Sequence, residues 1–587
     1  MVRIAVIEKE KCHPDRCGNY LCARLCPVNR TGSDCIVEGD DGKAFINASL
    51  CTGCGICPKR CPFGAIHIIN LPEALDKPPV HQYIDENGFR LFNLPTPLFG
   101  KVVGVLGRNG IGKSTALKVL AGVLKPNLGR FDGEPADLNE LIKFYKGTEA
   151  QLFFEKLRDG KIKAVYKPQA VDMIPKSASG TVEELLRKAD EKKEFEKVVA
   201  ALELERFLQT QISDVSGGEL QRVAIAATVL RQANLYIFDE PTSFLDIKQR
   251  LKVSNFIRSL ANEETAVLIV EHDLIVLDHM TDSVYLMYGE EAAYGIVSQP
   301  KPTRVAINVY LEGYLKEENV RFRDSKIAFT ERPVYRQKIR NDLTKWDGLS
   351  VKLGNFLLKA PAGVLHRHTV VGILGENGTG KTTFVKMLAG VQKPDLGIVE
   401  TNLKVSYKPQ YIYGDSTAKV REVLGSAVDQ YSVQIIKPLR IDRLLDLSLN
   451  ELSGGELQRV SIARCLTQDA DLYLLDEPCA YLDVEQRLVL SKTIRDYMEH
   501  KGKSALIVDH DLLFMDYVCD DLMVFSGIPA IHGEANGPFT MEDGMNKFLS
   551  KLNITLRRDH DSKRPRINKE DSQMDKEQKS TGKLYYS

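Results

Sequence analysis

The sequence predicts the α/β class: a small cysteine-rich domain ahead of two related halves, each with a Gly-rich loop set between a buried strand and a helix. Three observations lead there. The stretch Gly107-Arg108-Asn109-Gly110-Ile111-Gly112-Lys113-Ser114 returns as Gly375-Glu376-Asn377-Gly378-Thr379-Gly380-Lys381-Thr382. The motifs that follow each copy recur at matching intervals. Nine of the twelve cysteines fall within the first 61 residues.

Both stretches fit GxxxxGK[ST]. Each follows an apolar run (Val102 to Leu106; Val370 to Leu374) and precedes a helical segment, the strand-loop-helix context that gives the motif its meaning. The glycines let backbone N–H groups turn inward around an anion, and the helix that begins at the Lys adds the positive end of its dipole. Lys113 and Lys381 are expected to reach the β and γ phosphates, and Ser114 and Thr382 to place a hydroxyl on Mg²⁺. Asn109, Gly110, Gly112 and Thr115 in the first loop, with Asn377, Gly378, Gly380 and Thr383 in the second, are the remaining candidate phosphate contacts.

With 587 residues the chain holds several domains, roughly three or four at ~150 residues each. Lys plus Arg and Asp plus Glu both number 79, so no global charge draws the protein to nucleic acid or membrane, and any basic surface is local. No apolar run approaches the ~18 to 20 residues of a membrane helix, and the N-terminus MVRIAVIEKEKC lacks the apolar core of a secretory signal. A soluble, cytoplasmic protein is expected.

Cys51-x2-Cys54-x2-Cys57-x3-Cys61-Pro62 is the bacterial ferredoxin run, in which three thiolates hold one 4Fe-4S cluster and the fourth serves a second. The partner run, Cys12-x4-Cys17-x4-Cys22-x3-Cys26-Pro27, keeps the Cys-Pro ending and widens the earlier gaps. By the crossing rule Cys26 joins Cys51, Cys54 and Cys57, and Cys61 joins Cys12, Cys17 and Cys22. Cys35 is left over and reads as a small buried or free thiol. Zinc ribbons are the rival for this segment, since tetrahedral thiolate sites suit both metals; the Cys-x2-Cys-x2-Cys triplet and two Cys-Pro endings favour iron and sulfur.

Ahead of the first phosphate loop stand Tyr83 and Phe89, and ahead of the second Phe356; each is a candidate for stacking on adenine, with core packing the alternative. Gln169 and Gln410, each in Tyr-Lys-Pro-Gln, are placed to touch Mg²⁺ and the attacking water. Ser216-Gly217-Gly218-Glu219-Leu220-Gln221-Arg222 and Ser453-Gly454-Gly455-Glu456-Leu457-Gln458-Arg459 put Ser216, Gly218, Ser453 and Gly455 at further helix starts, where anions are favoured. Two buried-strand patterns end in Asp239-Glu240 and Asp476-Glu477. The Asp of each pair is expected to hold Mg²⁺ through water and the Glu to polarise the nucleophilic water. Asp246 and Asp483 follow, and His272 and His510 at the ends of apolar runs are placed to sense the γ phosphate.

Signature Ser and catalytic Glu are 24 residues apart in both halves, and Glu and His 32 apart in the first and 33 in the second. The duplication is therefore structural. One interval breaks it: Lys113 to Gln169 spans 56 residues, Lys381 to Gln410 only 29. The surplus falls at about 132–160 and predicts two helices, Ala136 to Tyr145 and Thr148 to Arg158, the second opened by a Thr148-x-x-Gln151 capping box. Leu138, Leu141, Ile142, Phe153, Phe154 and Leu157 are expected to pack the pair, which then offers a docking surface. Glu376 beside the second loop and Cys479 in place of Thr242 mark halves that differ in rate.

Arg304, Arg321 and Arg323 lie in a connector with interleaved aromatics and serve either a hinge seam or phosphate contacts. The tail from Lys551 is basic, and its last twenty residues read as polar and disordered. The expected domains are 1–75, 76–300 with the insertion at about 132–160, a hinge at 301–343, 344–545, and a C-terminal hinge segment and tail at 546–587.

The Ser-Gly-Gly-x-x-Gln pattern, with the loops and carboxylate pairs, resembles the ATP-binding cassette family. That resemblance implies a P-loop α/β core with an antiparallel part and a helical subdomain, and two cassettes arranged head to tail so that the signature of one closes on ATP held by the other. Two ferredoxin runs, the inserted helix pair and the Arg-rich hinge narrow the likeness to the E subfamily, the RNase L inhibitor family, over nearly the whole chain. What this implies is an ATPase that binds Mg-ATP at two sites and carries two 4Fe-4S clusters. Its function would be splitting ribosomes into subunits after termination or rescue. Its partners would be the ribosome, chiefly the small subunit with its rRNA and proteins, and a release factor or its rescue paralogue; the chain would act as a monomer with no membrane partner. Two other classes fit parts of the sequence: a transporter-energising subunit, and a redox protein in which ATP gates electron flow from the clusters.

Overall fold

The computed structural model describes residues 3–7, 11–39, 42–47, 50–70, 78–83, 88–131, 133–318, 320–323, 326–327, 329, 341–399, 403–410 and 416–586. The expected boundary at 75/76 and most of the later half of the connector lie outside these residues. Two compact units result: Met1–Ser243 with Val253–His272 and Met280–Ile327, and Phe244–Lys252 with Asp273–His279 and Ala328–Ser587. The second unit thus takes in two short segments from the first repeat.

The first unit opens with strand Arg3–Ile7, antiparallel to Ile66–Asn70. Between them come short helices Leu21–Leu25, Pro27–Arg30 and Ile56–Arg60 and a hairpin of Ile36–Glu38 with Ala44–Ile46. Ala5, Ile7, Ile36, Ala44, Ile46 and Ile66 are buried together with five cysteines, so thiols do the work that larger apolar side chains do elsewhere.

The nucleotide half of this unit is a mixed sheet. Its parallel part runs Ala164–Lys167, Leu235–Asp239, Ala266–Val270, Val102–Leu106 and Ser283–Glu290; Tyr294–Val297 then returns antiparallel and pairs with Arg90–Phe92. VVGVL, LYIFD and AVLIV are buried at every position, as strands covered on both faces must be. Helix Lys113–Leu120 follows the loop and buries Ala116, Leu117, Val119 and Leu120. The second unit repeats the plan with Val405–Lys408, Leu472–Asp476, Ser504–Val508, Val370–Leu374 and Asp521–Ile528 in parallel order. His532–Thr540 returns antiparallel, and helix Lys381–Leu388 follows the second loop.

The insertion forms helices Leu138–Phe144 and Glu149–Arg158. Its capping differs from the sequence expectation. Thr148 makes no cap bond; its hydroxyl donates to the Tyr145 carbonyl instead (2.7 Å), and Gln151 accepts from the Gly147 N–H (2.8 Å). The box sits one helix earlier, where Asp137 accepts from the Glu140 N–H (2.7 Å) and Glu140 from the Asp137 N–H (3.1 Å). Leu141, Phe153 and Phe154 are buried, with Leu138, Ile142 and Leu157 partly so, each fully buried side chain contributing roughly 1.5–3 kcal/mol. In the connector Arg323 turns inward, over Tyr310 (4.9 Å) and onto its carbonyl (2.8 Å), while Arg304 and Arg321 are exposed.

The tail corrects the expectation of disorder. Leu556–Arg558 pairs with Pro565–Ile567, and helix Gln573–Thr581 follows with Ser572 as its cap. Asp575 accepts from Thr555 Oγ1 (2.7 Å) and Lys579 Nζ (2.9 Å), Gln578 donates to the Leu556 carbonyl (3.0 Å), and Leu584 and Tyr585 are buried. Polar residues are the packing residues here, because each satisfies another, and composition does not register mutual satisfaction. The basic side chains are used too: Asp278 accepts from Arg566 Nε (2.5 Å) and Nη2 (3.1 Å) and from Arg564 Nη2 (3.2 Å).

Burial pushes the Asp575 carboxyl up, but its bonds from the Thr555 hydroxyl, Lys579 and the Asp571 N–H outweigh this and hold it below the usual range. A depressed carboxylate contributes stability above its unfolded value, ~3.9, that is lost as pH falls through the lower folded value. Asp575→Ala should loosen the tail at neutral pH by about 1–3 kcal/mol, read as faster hydrogen exchange across 556–585. The wild-type tail should keep its protection until the pH drops below about 4; unchanged exchange in the variant would refute the assignment.

Candidate nucleotide sites and cysteine centre

Each phosphate loop is shaped by glycines that no other residue replaces without strain. Gly110 and Gly112 have φ +74° and +87°, Gly378 and Gly380 +73° and +90°. A Cβ on Gly112 would lie 2.5 Å from the Phe89 ring, and one on Gly380 3.0 Å from the Phe356 ring. Phe89 and Phe356 are thus counterparts, each covering the last glycine of its loop. Tyr83 is offset from Phe89, with ring centres 6.4 Å apart, and its hydroxyl meets Thr115 Oγ1 at 3.3 Å. Lys113 Nζ donates to the carbonyls of Gly107 (3.0 Å) and Arg108 (2.5 Å) and to Asn109 Oδ1 (3.3 Å). Lys381 does the same with Gly375 (3.0 Å), Glu376 (2.8 Å) and Asn377 (3.4 Å). Thr383 follows Thr382 in the first turn of its helix.

The parallel register brings the carboxylates to the loops. Ser114 lies beside Asp239, and Thr382 Oγ1 donates to Asp476 Oδ2 (2.7 Å). Gln169 Nε2 donates to Glu240 Oε1 and Gln410 Nε2 to Glu477 Oε1, both at 2.7 Å. Glu240 and Glu477 have φ +45° and +47°, a conformation that costs a non-Gly residue of order 1–3 kcal/mol and gathers at functional sites. Ser216 and Ser453 cap helices Gly217–Val229 and Gly454–Leu466, each in a capping box with the Glu three residues on. Gly218 and Gly455 fall in the first turns, where a Cβ on Gly455 would lie 2.9 Å from the Tyr481 carbonyl oxygen.

The two catalytic candidates have different surroundings. His272 Nε2 lies 3.4 Å from Glu240, His510 Nε2 3.9 Å from Glu477. Ser243 donates to Glu240 Oε2 (3.1 Å); Ala480 stands at that place in the second repeat. Burial raises the Glu240 carboxyl, but the His272 and Lys113 groups and Ser243 pull it down to about 2. Burial with the charges of Asp476 and Asp509 pushes Glu477 up to about 7.

Lys167 and Lys408, inside the two Tyr-Lys-Pro-Gln motifs, are site residues that sequence reasoning missed. Each buried ammonium donates to two backbone carbonyls: Asp239 (3.0 Å) and Glu240 (3.3 Å), or Asp476 (2.8 Å) and Glu477 (3.3 Å). Burial lowers both to about 8. Gln221 and Gln458 also donate to the Glu240 and Glu477 carbonyls (2.6 and 2.8 Å). Repetition of both residues in both halves was the available signal.

The residues fit a metal-bound nucleotide. Among the described residues, Asp239 Oδ1, Asp476 Oδ1 and all four ring nitrogens of His272 and His510 are buried without a hydrogen-bond partner, and native interiors rarely leave such groups unsatisfied. In the cysteine domain, Cys61 lies beside Cys12, Cys17 and Cys22, and Cys57 beside Cys51 and Cys54. Backbone N–H groups donate to Cys51 Sγ (Ala5, 3.2 Å), Cys12 Sγ (Ala44, 3.5 Å) and Cys61 Sγ (Ala65, 3.4 Å), the bonds that stabilise cluster thiolates. Burial pushes Cys22 up to about 11 and Cys57 up to about 12, so a bound cation is what would hold them ionised. No three such ligands converge on one point among the described residues; a four-iron cluster spreads its thiolates, one to each iron. Cys35, buried beside Cys26 and Cys51, is raised by burial and by their charges. Cys26 is buried and Cys54 exposed.

Comparison with known proteins matches this arrangement along the whole chain. The ABC transporter family model covers residues 98–243 and 358–480. A model described as a possible Fer4-like domain in RNase L inhibitor covers 2–34, and a 4Fe-4S binding domain 44–67. An uncharacterized ABC transporter ATP-binding protein of Methanocaldococcus jannaschii is 50% identical across 100% of this chain and 98% of its own length. Translation initiation factor RLI1 of Saccharomyces cerevisiae is 45% identical, with coverage of 100% and 98%. A solved structure described as a model of ribosome-bound archaeal Pelota and ABCE1 superposes with TM-score 0.95 at 52% identity, covering 100% of this chain and 99% of that one. A ferredoxin-like iron-sulfur domain and two ATP-hydrolysing cassettes on one chain are therefore conclusions, and the chain belongs to the RNase L inhibitor family, subfamily E of the ABC-type ATPases.

Proposed function

We infer that this chain is an ATP-driven ribosome recycling factor that splits ribosomes into subunits after termination or rescue. The observation that carries the reading is the joining, on one chain, of two repeated ATP sites to a cysteine-rich iron-sulfur domain, in a sequence that follows a ribosome-bound relative from end to end. A second cassette fused in tandem suits a machine that opens and closes. ATP binds the closed form better than the open one, so two bound nucleotides shift the population and hydrolysis returns it. The partners on this reading are the small subunit, with its rRNA and proteins, and a release factor or its rescue paralogue. No helix among the described residues is long and apolar enough to cross a membrane, and a cytoplasmic place of work goes with the reading.

The geometry supports the following roles. Lys113 and Lys381 bind phosphate; Ser114, Gln169, Asp239, Thr382, Gln410 and Asp476 would hold Mg²⁺ when it is bound. Bound Mg²⁺ would supply charge neutralisation at the β and γ oxygens. Glu240 and Glu477 orient and polarise the attacking water, and His272 and His510 face the γ phosphate. Ser216 and Ser453 serve as signature serines. Cys26, Cys51, Cys54 and Cys57 would hold one 4Fe-4S cluster, and Cys12, Cys17, Cys22 and Cys61 the other.

Glu240→Gln and Glu477→Gln should each trap ATP, with unequal effects on turnover because only Glu240 has the Ser243 hydroxyl and the closer imidazole. Equal turnover in the two variants would remove the asymmetry. The purified protein should be brown and absorb near 400 nm, about where such clusters absorb; a colourless, zinc-loaded protein would end the cluster assignment. Sucrose-gradient sedimentation of ribosomes with this protein, a release factor and ATP should show free subunits. Ribosomes left intact, with the protein sedimenting alone, would overturn the recycling reading.

A further inference from the structure

The segment after Glu240 and the second phosphate loop meet inside the second compact unit. Asp246 accepts from the Asn377 N–H (2.8 Å), Asn377 Nδ2 donates to the Phe244 carbonyl (3.2 Å), and Phe244 lies against Tyr481 with ring centres 6.1 Å apart. Two residues on from Asp246, Lys248 Nζ reaches Glu376 Oε1 at 2.9 Å, their side chains 38% and 34% exposed. These contacts do not distinguish the repeats, since Asp246 and Asn377 recur as Asp483 and Asn109. The ion pair does.

The repeats carry opposite signs at these two positions. Arg108 stands in the first loop where Glu376 stands in the second, and Glu485 follows Asp483 where Lys248 follows Asp246. Glu485 also lies 3.6 Å from Arg440. Both substitutions reverse charge, so each repeat presents a cation and an anion in the complementary order. A duplicated surface has an inherent ambiguity: a segment that fits one loop fits both, and two copies of the chain could pair like with like.

We propose that Arg108, Lys248, Glu376 and Glu485 form a charge code that directs the first cassette's Asp246–Lys248 segment to the second cassette's loop and excludes a second copy of this chain as partner. Two first cassettes would bring Lys248 to Arg108, and two second cassettes Glu485 to Glu376. Like charges at such a contact are the repulsive element that specificity needs alongside the attractive one. At one-third exposure the attraction itself is small, and its effect falls with added salt. The proposal rests on the reading that ATP draws the cassettes together.

The test is a charge-swap cycle in the full-length protein with Mg-ATP at low salt, reading turnover and molar mass by light scattering. Lys248→Glu sets a second carboxylate against Glu376 but makes a first cassette complementary to itself, and Glu376→Lys does the same for the second. Each single variant should lose roughly fivefold in turnover, the equivalent of one weak ion pair turned repulsive, and should gain an ATP-dependent dimer. The double swap restores the attraction within the chain and should recover turnover, although it leaves each cassette complementary to its own kind; Lys248→Arg should match the wild type in turnover and mass, and ~0.5 M salt should narrow all differences. Single variants with wild-type turnover, single variants that lose turnover yet remain monomeric, or a double swap with turnover no better than either single would overturn the code. If a single variant fails to fold, the double swap and the salt series still decide. Failure of the underlying closure reading shows elsewhere, as wild-type turnover unaffected by Ser216→Ala and Ser453→Ala.

Discussion

One buried ammonium in each cassette sets the terms for everything around it. Lys167 and Lys408 stand at the ends of their sheets' outermost parallel strands, with essentially no exposure, and spend their donors on the carbonyls of the Asp-Glu pair that ends the neighbouring strand. Withdrawing a charge from water is costly unless it is hydrogen-bonded, and here the bonds go to backbone. They grip the chain where it leaves the sheet, at the residue whose φ is +45° or +47°. A strained residue persists only where its surroundings over-determine it. The second carbonyl bond, from Gln221 or Gln458, completes that grip. The Glu240 and Glu477 carboxylates are therefore aimed by a tied backbone rather than by their own rotamers alone.

The same scaffold then tolerates unequal chemistry. Ser243 and the nearer His272 surround Glu240 with groups that favour its charge; Ala480, Asp509 and the more distant His510 leave Glu477 with fewer. Tyr166 donates to Asp239 Oδ2 (3.0 Å), whereas the Tyr407 hydroxyl has no partner among the described residues. Thr242 donates to Glu271, while at the equivalent place the Cys479 N–H donates to Asp509 (2.9 Å). None of these changes moves a strand or a loop. Duplication fixed the frame, and side chains one or two bonds from the carboxylates diverged within it.

The cysteine domain follows a different logic. Five of the twelve residues in its buried cluster are cysteines, and a domain this small draws stability from cross-links or metal where apolar area is scarce. Bound clusters would therefore contribute directly to the folding free energy of this domain.

Motif residues were readable in the sequence because their chemistry is local: a glycine at positive φ, a lysine at a helix start, a cysteine run with fixed gaps each declares itself within a few residues, and repetition confirmed the register. So did the inserted helix pair, whose apolar spacing is a property of the segment. What sequence could not supply was long-range satisfaction. The polar tail forms a helix because Thr555, Asn568, Asp575 and Gln578 bond one another, the cap of the insertion sits at Asp137 rather than Thr148, and Lys248 finds Glu376 across 128 positions. Short-range geometry is written in neighbouring residues. Which polar groups end up satisfied, and which carboxylate stays charged, depends on partners that only the folded chain brings within 3 Å or so of each other.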